Sequence, residues 1–215
     1  MEGVLERLLE SYPDLAGNVP EIIKAYETIV DCYDSKGKLL LCGNGGSASD
    51  CDHIAGELLK GFMQKRKLPG ELRDEFVKYG ADETFADNLQ GALAAVSLVS
   101  QTAFSTAFLN DVNPWFVYAQ QVYALGKEKD VFIGISTSGN SENVINAAIV
   151  AKQKKMKVIV LTGENGGKLG EISDIAIKVP ARETYRVQEY HVPVYHALCE
   201  MIERHYWKDK MTSSC

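Results

Sequence analysis

Hydroxyl-bearing residues cluster in the segment "GISTSGNSENV", where an apolar run ends and a helical pattern begins. Ser136, Thr137 and Ser138 follow the apolar run, and Ser141 opens the helix. A helix N-terminus offers unpaired backbone N–H groups and a positive dipole end, so it attracts anions. Gly139 lets the backbone approach a ligand closely, and the hydroxyls add donors. The segment predicts a phosphate site; a helix cap alone would explain only Ser141.

A second polar junction, "LLCGNGGSASD", is rich in glycine and also leaves an apolar run. Its pattern is neither GxGxxG nor a Walker loop, which disfavours dinucleotides and nucleoside triphosphates. We therefore expect no nucleotide cofactor. Asn44 and Ser47 are instead suited to hydrogen-bond sugar hydroxyls.

Histidine and acidic or amide side chains recur at helical spacing in two further segments. His53 and Glu57, in "CDHIAGEL", lie four residues apart and share one helix face. In "RVQEYHVPVYHAL", Gln188 and His196 differ by roughly 80° on a helical wheel, so both can border one cleft. Such residues suit a metal ion or an acid/base pair, although an exposed hydrogen-bonded couple also explains the first two. Pro193 should bend the second helix, since it removes a backbone hydrogen bond.

Short apolar runs predict buried strands at residues 38–42, 130–136, 157–162 and 174–179, and residues 94–100 suit either a fifth strand or a helix. Helical patterns cover residues 3–12, 20–35, 47–62, 113–125, 141–154, 167–172 and 184–207. Apolar strands alternating with helices predict a doubly wound α/β fold, a flavodoxin-like three-layer sandwich with a central parallel sheet and added N-terminal and C-terminal helices. Ligands of such sheets bind at the carboxyl ends of the strands, where both polar junctions fall.

The chain length predicts a single domain over residues 1–215. We assign N-terminal helices to residues 1–36, the core to residues 37–180 and a C-terminal helix to residues 184–207. Residues 63–91 are polar and charge-rich between more apolar segments, and we interpret them as an insertion. Such an insertion is either a surface excursion or a lid.

Composition excludes several classes of protein. The net charge of -6 and the pI near 5.3 argue against a nucleic-acid partner, which calls for a basic surface. No apolar run approaches the roughly 20 residues of a membrane span, and the N-terminus is acidic and amphipathic rather than a signal peptide. We therefore expect a cytoplasmic protein without a membrane partner. The cysteines lack CxxC spacing and suit reduced thiols: Cys32, Cys42, Cys51, Cys199 and Cys215.

Several motifs together resemble the sugar isomerase (SIS) domain family: "GNGGSASDCDHIAGEL", "LND", "GISTSGNS", "LTGENGGKL" and "RVQEYHVPVYHALCEMIE". The resemblance runs in order from about residue 20 to residue 207, apart from the insertion. It implies an aldose–ketose isomerase that converts sedoheptulose 7-phosphate to D-glycero-D-manno-heptose 7-phosphate through an enediol, for heptose or surface-polysaccharide (lipopolysaccharide) synthesis. It also implies a homotetramer with sites at the subunit interfaces.

The resemblance assigns roles to individual residues. Glu57 and His196 match the family's catalytic pair. A zinc ion (Zn2+), in the members that contain one, would be held by His53, Glu57, Gln188 and His196. The positions that match substrate-binding residues are Asn44, Gly45, Gly46, Ser47, Glu57, Asn110, Asp111, Ser136, Thr137, Ser138, Ser141 and Gln188.

Two other functions are compatible with a SIS domain. One is a non-catalytic phosphosugar-binding protein of the kind that associates with the bacterial replication initiator, which is less favoured because Glu57 and His196 are both present. The other, a lyase that opens an amino-sugar ether, fits the histidine pattern less well. Tyr185 and Pro193 depart from the family pattern and leave the preferred sugar open. We interpret His191 as a partner-contacting or site-supporting residue.

Overall fold

A five-stranded, all-parallel sheet with the order β2-β1-β3-β4-β5 lies at the centre of the structure, a computed structural model that describes residues 1–207. Each strand is short and apolar, as buried parallel strands are. The strands are β1 (Leu39–Gly43), β2 (Ala95–Ser97), β3 (Val131–Ile135), β4 (Lys157–Gly163) and β5 (Ile175–Val179). This order is the flavodoxin-like one and confirms the predicted fold class.

Helices cover both faces of the sheet: α1 (Glu2–Ser11), α2 (Val19–Asp34), α3 (Gly46–Leu59), α4 (Gly70–Lys78), α5 (Thr102–Asp111), α6 (Val117–Leu125), α7 (Glu142–Gln153), α8 (Gly167–Ile172) and α9 (Thr184–Tyr206). Short 3-10 turns occupy Pro13–Asn18, Phe85–Asn88 and Pro114–Phe116. Helices α1, α2, α3 and α9 contribute to one buried cluster, and α6, α7 and α8 contribute to the other.

Alternation along the strands divides the core between these two layers. Leu39 and Leu41 of β1 belong to the cluster under α3 and α9, whereas Leu40 belongs to the cluster under α6 and α7. Successive strand side chains point to opposite faces, so an uninterrupted apolar strand supplies both cores.

Most predicted elements are confirmed, with three differences; one is that the helix predicted from residue 113 begins at Val117, after the 3-10 turn Pro114–Phe116. Helix α5 was missed because every one of its residues is at least partly exposed, so it lacks a strong apolar stripe. Helix α3 ends at Leu59 rather than at residue 62, where Lys60 becomes extended. Helix α9 continues through Pro193 as far as Tyr206, and the bend at Pro193 stays a prediction.

The insertion is tied down where it leaves and rejoins the core. The Gly61 backbone N–H donates to Gln90 Oε1 at 2.8 Å, and the Gly91 N–H donates to the Arg66 carbonyl oxygen at 2.7 Å. Between these ties lies α4, as its helical sequence pattern indicates. The lid interpretation stays a prediction. Within residues 1–207, no helix has both the length and the apolar character needed to cross a membrane. Cys215 lies outside the described residues.

Candidate active site

The two polar junctions meet at the point where the strand order reverses. Strands β1 and β3 are neighbours, and Gly43 at the end of β1 is paired with Ile135 at the end of β3. The chain proceeds from β1 to one edge of the sheet and from β3 toward the other. Such a switch point leaves a crevice at the carboxyl ends of the strands, where α/β proteins bind ligands.

The segment Ser136 to Ser141, called here the hydroxyl loop, connects β3 to α7. Ser136 is buried, and its Oγ lies 2.9 Å from the Oγ of Ser141. Ser141 holds the N-cap position of α7, but its hydroxyl pairs with Ser136 instead of capping the helix. Ser138 Oγ accepts the Asn140 N–H at 3.1 Å and so shapes the turn. The cap interpretation therefore does not account for the Ser141 side chain.

Glycine is required at the tip of the hydroxyl loop. Gly139 has φ +67°, and a Cβ there would lie 2.0 Å from the Gly166 carbonyl oxygen. The loop packs against the segment after β4, where Lys168 N–H donates to Asn140 Oδ1 and Leu169 N–H donates to the Gly139 carbonyl, both at 3.0 Å. Only glycine suits this position, because the backbone is left-handed and there is no space for a side chain.

The glycine-rich junction after β1 is joined to the hydroxyl-loop side by a pair of amides. Asn44 and Asn143 exchange two side-chain hydrogen bonds of 2.8 and 2.9 Å. Tyr118 Oη donates to the Gly43 carbonyl at 2.9 Å, Gly45 has φ +56°, and Ser47 is buried at the start of α3. The two junctions thus form one polar surface at the switch point.

Helices α3 and α9 lie side by side and parallel. A Cβ at Gly46 would lie 2.6 Å from Gln188 Nε2, so this glycine makes room for the glutamine. Seven residues further along both helices, His53 Nδ1 lies 3.0 Å from the Tyr195 hydroxyl. The two contacts keep the same sequence offset, so the helices run in the same direction.

His53, Glu57 and His196 come together near the carboxyl half of α3. His53 Nε2 lies 3.3 Å from Glu57 Oε1, and the ring centroids of His53 and His196 are 4.9 Å apart. Phe62 stacks on His196 at 5.6 Å. Burial and the nearby His53 lower the pKa of His196, while Glu57 acts in the opposite direction. The structure therefore gives the predicted acid/base candidates a common location.

Two buried residues that sequence reasoning missed support His53. Tyr195 Oη lies 3.0 Å from His53 Nδ1 and 3.3 Å from Asp50 Oδ1. Burial raises the pKa of Asp50, and the Tyr195 hydrogen bond and His53 oppose that rise. Burial and Asp50 raise the pKa of Tyr195 well above its ordinary value, so the phenol keeps its proton. The i, i+3 spacing of Asp50 and His53 was the available signal.

A fully buried ion pair, also missed, fixes the end of α3. Arg66 and Glu203 have 0% exposure, and Arg66 Nε donates to Glu203 Oε1 at 2.8 Å. Arg66 also donates to the carbonyl oxygens of Leu58 (2.7 Å) and Glu57 (2.8 Å). Glu203 accepts the Phe62 N–H and the next N–H, both at 2.7 Å. The pair thus links the backbone of Glu57 to the loop that carries Phe62.

His191 lies inside α9's contact with the sheet rather than at an exposed partner surface. Its exposure is 0%, and it lies beside the backbone of Thr162 in β4. Neither ring nitrogen makes a well-formed hydrogen bond within residues 1–207. Burial lowers its pKa to about 4. This burial contradicts the partner-contacting interpretation of His191, and the alternative, a site-supporting residue, stays a prediction.

Other predicted site residues lie apart from this cluster. Gln188 packs at Gly46, about 10 Å along the helix axis from the level of His53 at 1.5 Å per residue. Asn110 and Asp111 are exposed at the end of α5, where the Asn110 amide donates to Asp111 at 2.8 Å. Within one chain, the hydroxyl loop and the junction that carries Asn44 form a switch-point group. His53, Glu57 and His196 form a helix-pair group.

The helix-pair group has donor chemistry that suits a zinc ion. Imidazole and carboxylate are ordinary zinc ligands. His196 Nε2 is buried and lacks a hydrogen-bond partner among the described residues. As positioned in residues 1–207, however, no three His, Cys, Asp or Glu side chains form a ready-made metal site. The residue types fit, and closing a ligand set would require side-chain movement.

Comparisons with known proteins agree with this fold. The SIS domain family model matches residues 81–163. The phosphoheptose isomerase of Helicobacter pylori strain P12 is 39% identical over 202 residues, which cover 94% of this chain and 90% of that protein. The solved phosphoheptose isomerase of Neisseria gonorrhoeae has a TM-score of 0.72 at 36% identity, covering 94% of this chain and 97% of that one. The corresponding structure from Francisella tularensis has a TM-score of 0.71 at 31% identity and covers 94% of both chains.

The parallel sheet, its switch-point hydroxyl loop and the family match define a SIS domain. Within that class, a relative that is 39% identical covers 94% of this chain. The chain belongs to the phosphoheptose isomerase family.

Proposed function

We propose that this protein is a phosphoheptose isomerase that converts sedoheptulose 7-phosphate to D-glycero-D-manno-heptose 7-phosphate. The observation that carries the proposal is the convergence of His53, Glu57 and His196. It occurs in a chain that aligns over 94% of its length with a relative named phosphoheptose isomerase. A non-catalytic phosphosugar-binding role is not favoured, because both members of the candidate catalytic pair are present and lie in one cluster.

The reaction is a proton transfer. It needs a base beside the carbon that loses its proton and a second group that donates protons to the substrate oxygens and accepts protons from them. One group removes the proton from the carbon next to the carbonyl, the enediol forms, and a proton returns to the neighbouring carbon. We assign the removal of the proton from carbon to the Glu57 carboxylate. The lowered pKa of His196 leaves its imidazole neutral at pH 7, so it can move protons between the two oxygens.

The phosphate is assigned to the hydroxyl loop. Ser136 and Ser141 already pair with each other at 2.9 Å, and Thr137 and Ser138 lie beside them at the N-terminus of α7. Hydroxyl and backbone N–H donors at a helix start bind phosphate oxygens well. We assign contacts with the sugar hydroxyls to Asn44 and the adjacent glycines at the same switch point.

We further propose a homotetramer in which a neighbouring chain completes the site. Glu57 lies eleven residues, about 16 Å, along α3 from Gly46, so one chain separates its two groups of site residues. Exposed apolar side chains on and after α5, including Leu109, Val112 and Trp115, offer a surface for self-association. Light scattering coupled to gel filtration tests this; a monomer with full activity contradicts it. A cytoplasmic role in heptose and surface-polysaccharide synthesis follows from the same proposal.

Zinc is a second part of the proposal. His53, Glu57 and His196 would hold the ion; Gln188 of the same chain packs at Gly46, about 10 Å along the helix axis, and does not reach them. Bound zinc would polarise the carbonyl and hydroxyl oxygens of the substrate. Metal analysis of protein purified without chelator tests the assignment. Full activity in protein that lacks stoichiometric metal would remove zinc from the proposal.

The reaction is tested by incubating the purified protein with sedoheptulose 7-phosphate and following a new aldose phosphate by NMR. We expect turnover by the wild type and a loss of about 10²- to 10⁴-fold in kcat for Glu57→Gln and for His196→Ala, as for removal of an acid/base group. Glu189→Gln, an exposed carboxylate on α9, serves as the matched control and should retain activity.

The outcomes separate the reaction from the site. A wild-type protein that leaves sedoheptulose 7-phosphate and related sugar phosphates unchanged contradicts the isomerase proposal. Turnover that survives both substitutions retains the reaction and refutes the assignment of Glu57 and His196.

A further inference from the structure

A continuous run of polar contacts leads from the interior of the helix pair to its candidate catalytic face. Asp50 Oδ1 lies 3.3 Å from Tyr195 Oη, which lies 3.0 Å from His53 Nδ1. The other nitrogen of the same ring, Nε2, lies 3.3 Å from Glu57 Oε1. Asp50 and Tyr195 are 9% and 2% exposed, whereas 46% of the His53 side chain is exposed.

The chemistry of these groups sets the direction of each hydrogen bond. An ionised carboxylate can only accept, so the Tyr195 O–H donates to Asp50. The phenol oxygen then offers its lone pairs to His53, which must donate through Nδ1–H. In the neutral ring this tautomer leaves the lone pair on Nε2, directed to the side where Glu57 lies.

From this geometry we infer that Tyr195 and Asp50 are positioning residues that hold His53 in its Nδ1–H tautomer. Two acceptors, His53 Nε2 and Glu57 Oε1, then face each other across 3.3 Å. Such a pair of facing acceptors is arranged to share a cation rather than to form a simple histidine-to-glutamate hydrogen bond. The inference rests on the proposed function for its effect on catalysis, but the tautomer itself does not depend on any activity.

The edge-on packing of the rings gives the arrangement its rigidity. The His53 and Tyr195 ring centroids are 5.5 Å apart with planes at 72°. The Tyr195 and His196 centroids are 4.8 Å apart at 78°. Because Tyr195 is almost fully buried, its hydroxyl reaches His53 from a fixed direction. A supporting hydrogen bond of this kind is typically associated with effects of about 10- to 100-fold on activity or metal affinity.

The experiment compares two tyrosine hydroxyls that each lie 3.0 Å from a histidine Nδ1. Tyr195→Phe removes the one at His53, and Tyr26→Phe removes the one at His205 on the exposed side of α9. Long-range proton–nitrogen NMR at mildly alkaline pH reports which ring nitrogen carries hydrogen, with the His53 signals assigned from a His53→Gln spectrum.

We expect Nδ1–H at His53 in the wild type and in Tyr26→Phe, and a change to Nε2–H in Tyr195→Phe. Asp50→Leu should cause the same change, since Tyr195 is then free to donate to His53, whereas Asp50→Asn keeps an acceptor and the original tautomer. In the isomerase assay, Tyr195→Phe should lower kcat about 10- to 100-fold with KM nearly unchanged.

A wild-type His53 that carries hydrogen on Nε2, or a tautomer that is the same in Tyr195→Phe, overturns the inference. A protein with the expected tautomers but without isomerase turnover supports the positioning inference and refutes the proposed function. Circular dichroism of each variant shows whether the fold is retained, and Tyr195→Phe, which removes a single oxygen atom, is the variant least able to disturb it.

Discussion

The hydroxyl loop and the helix pair α3–α9 are held together by different kinds of interaction. The loop relies on backbone groups, a left-handed glycine and hydroxyls that bond to each other, as Ser136 does to Ser141. The helix pair relies on buried charged and polar side chains, among them Arg66, Glu203 and His191. A side chain can therefore be removed from the loop at little cost to the fold, whereas the helix pair uses its side chains for stability and chemistry together.

This difference follows from where each group gets its hydrogen-bond partners. The loop faces the crevice, and its hydroxyls find partners within the loop itself, as Ser136 does in Ser141. The side chains around the helix pair that carry buried charge or polarity lie inside the protein, where an unpaired charge or polar atom raises the free energy of the folded state. Substitutions in the helix pair should therefore change both stability and activity, and substitutions in the loop should change binding alone.

The largest expected effect is that of Glu203→Ala. It leaves the Arg66 guanidinium buried without its carboxylate and frees the N–H groups of Phe62 and its neighbour. We expect a loss of about 3–5 kcal/mol in the free energy of unfolding, measured by urea denaturation. Activity should also fall, because the Glu57 backbone and the Phe62 ring lose their support.

The control for this substitution is Glu189→Ala, which removes an exposed ion pair with Arg186 on the same helix. That change should cost less than about 1 kcal/mol. Equal effects at Glu203 and Glu189 would mean that burial does not distinguish the helix pair from the surface.

A smaller effect is expected from acid, through His191. Burial lowers the pKa of His191 to about 4, below the ordinary value near 6.5, so the folded state binds its proton less readily than the unfolded state. Stability is present above pH 6.5 and is lost as the pH falls toward 4. Between pH 7 and pH 5, the free energy of unfolding should fall by about 2 kcal/mol because of His191. The His191→Leu variant should lose that much less stability over the same interval in urea titrations; an identical decrease in both proteins would show that His191 is not responsible.

The smallest effect, and the one that isolates binding, is that of Ser141→Ala. It removes a hydroxyl from the proposed phosphate site without uncapping α7, since the side chain pairs with Ser136. KM for the sugar phosphate should rise about tenfold, as for a lost hydrogen bond to a charged group, while the free energy of unfolding falls by only about 1 kcal/mol, because the Ser136 hydroxyl loses its partner. A large loss of stability with unchanged KM would mean that the loop side chains serve stability, as those of the helix pair do, and would contradict the comparison between the two regions.

The fold was largely readable from the sequence because its strands are apolar and its turns carry glycine. The runs before Gly43 and Ser136 specify strands, and the polar residues after them specify the switch point. Helix α5 could not be read in this way, since its sequence lacks the apolar stripe that a buried face would impose.

The candidate site was only partly readable for a different reason. The i, i+4 spacing of His53 and Glu57 is local and visible in sequence. The pairing of Arg66 with Glu203 joins residues 137 positions apart, and the contact of Tyr195 with His53 spans 142. No local pattern encodes such contacts, because they depend on how α3 and α9 are packed.

The parallel arrangement of α3 and α9 has a consequence for sequence change. Gly46 meets Gln188 and His53 meets Tyr195 at one constant offset, so both ends of the helix pair share a single alignment. A one-residue insertion or deletion between Gln188 and Tyr195 would rotate the following part of α9 by about 100° and carry Tyr195 and His196 away from His53. A point substitution along this stretch therefore removes only the contact of the substituted residue. A change in length separates the two halves of the site in a single step.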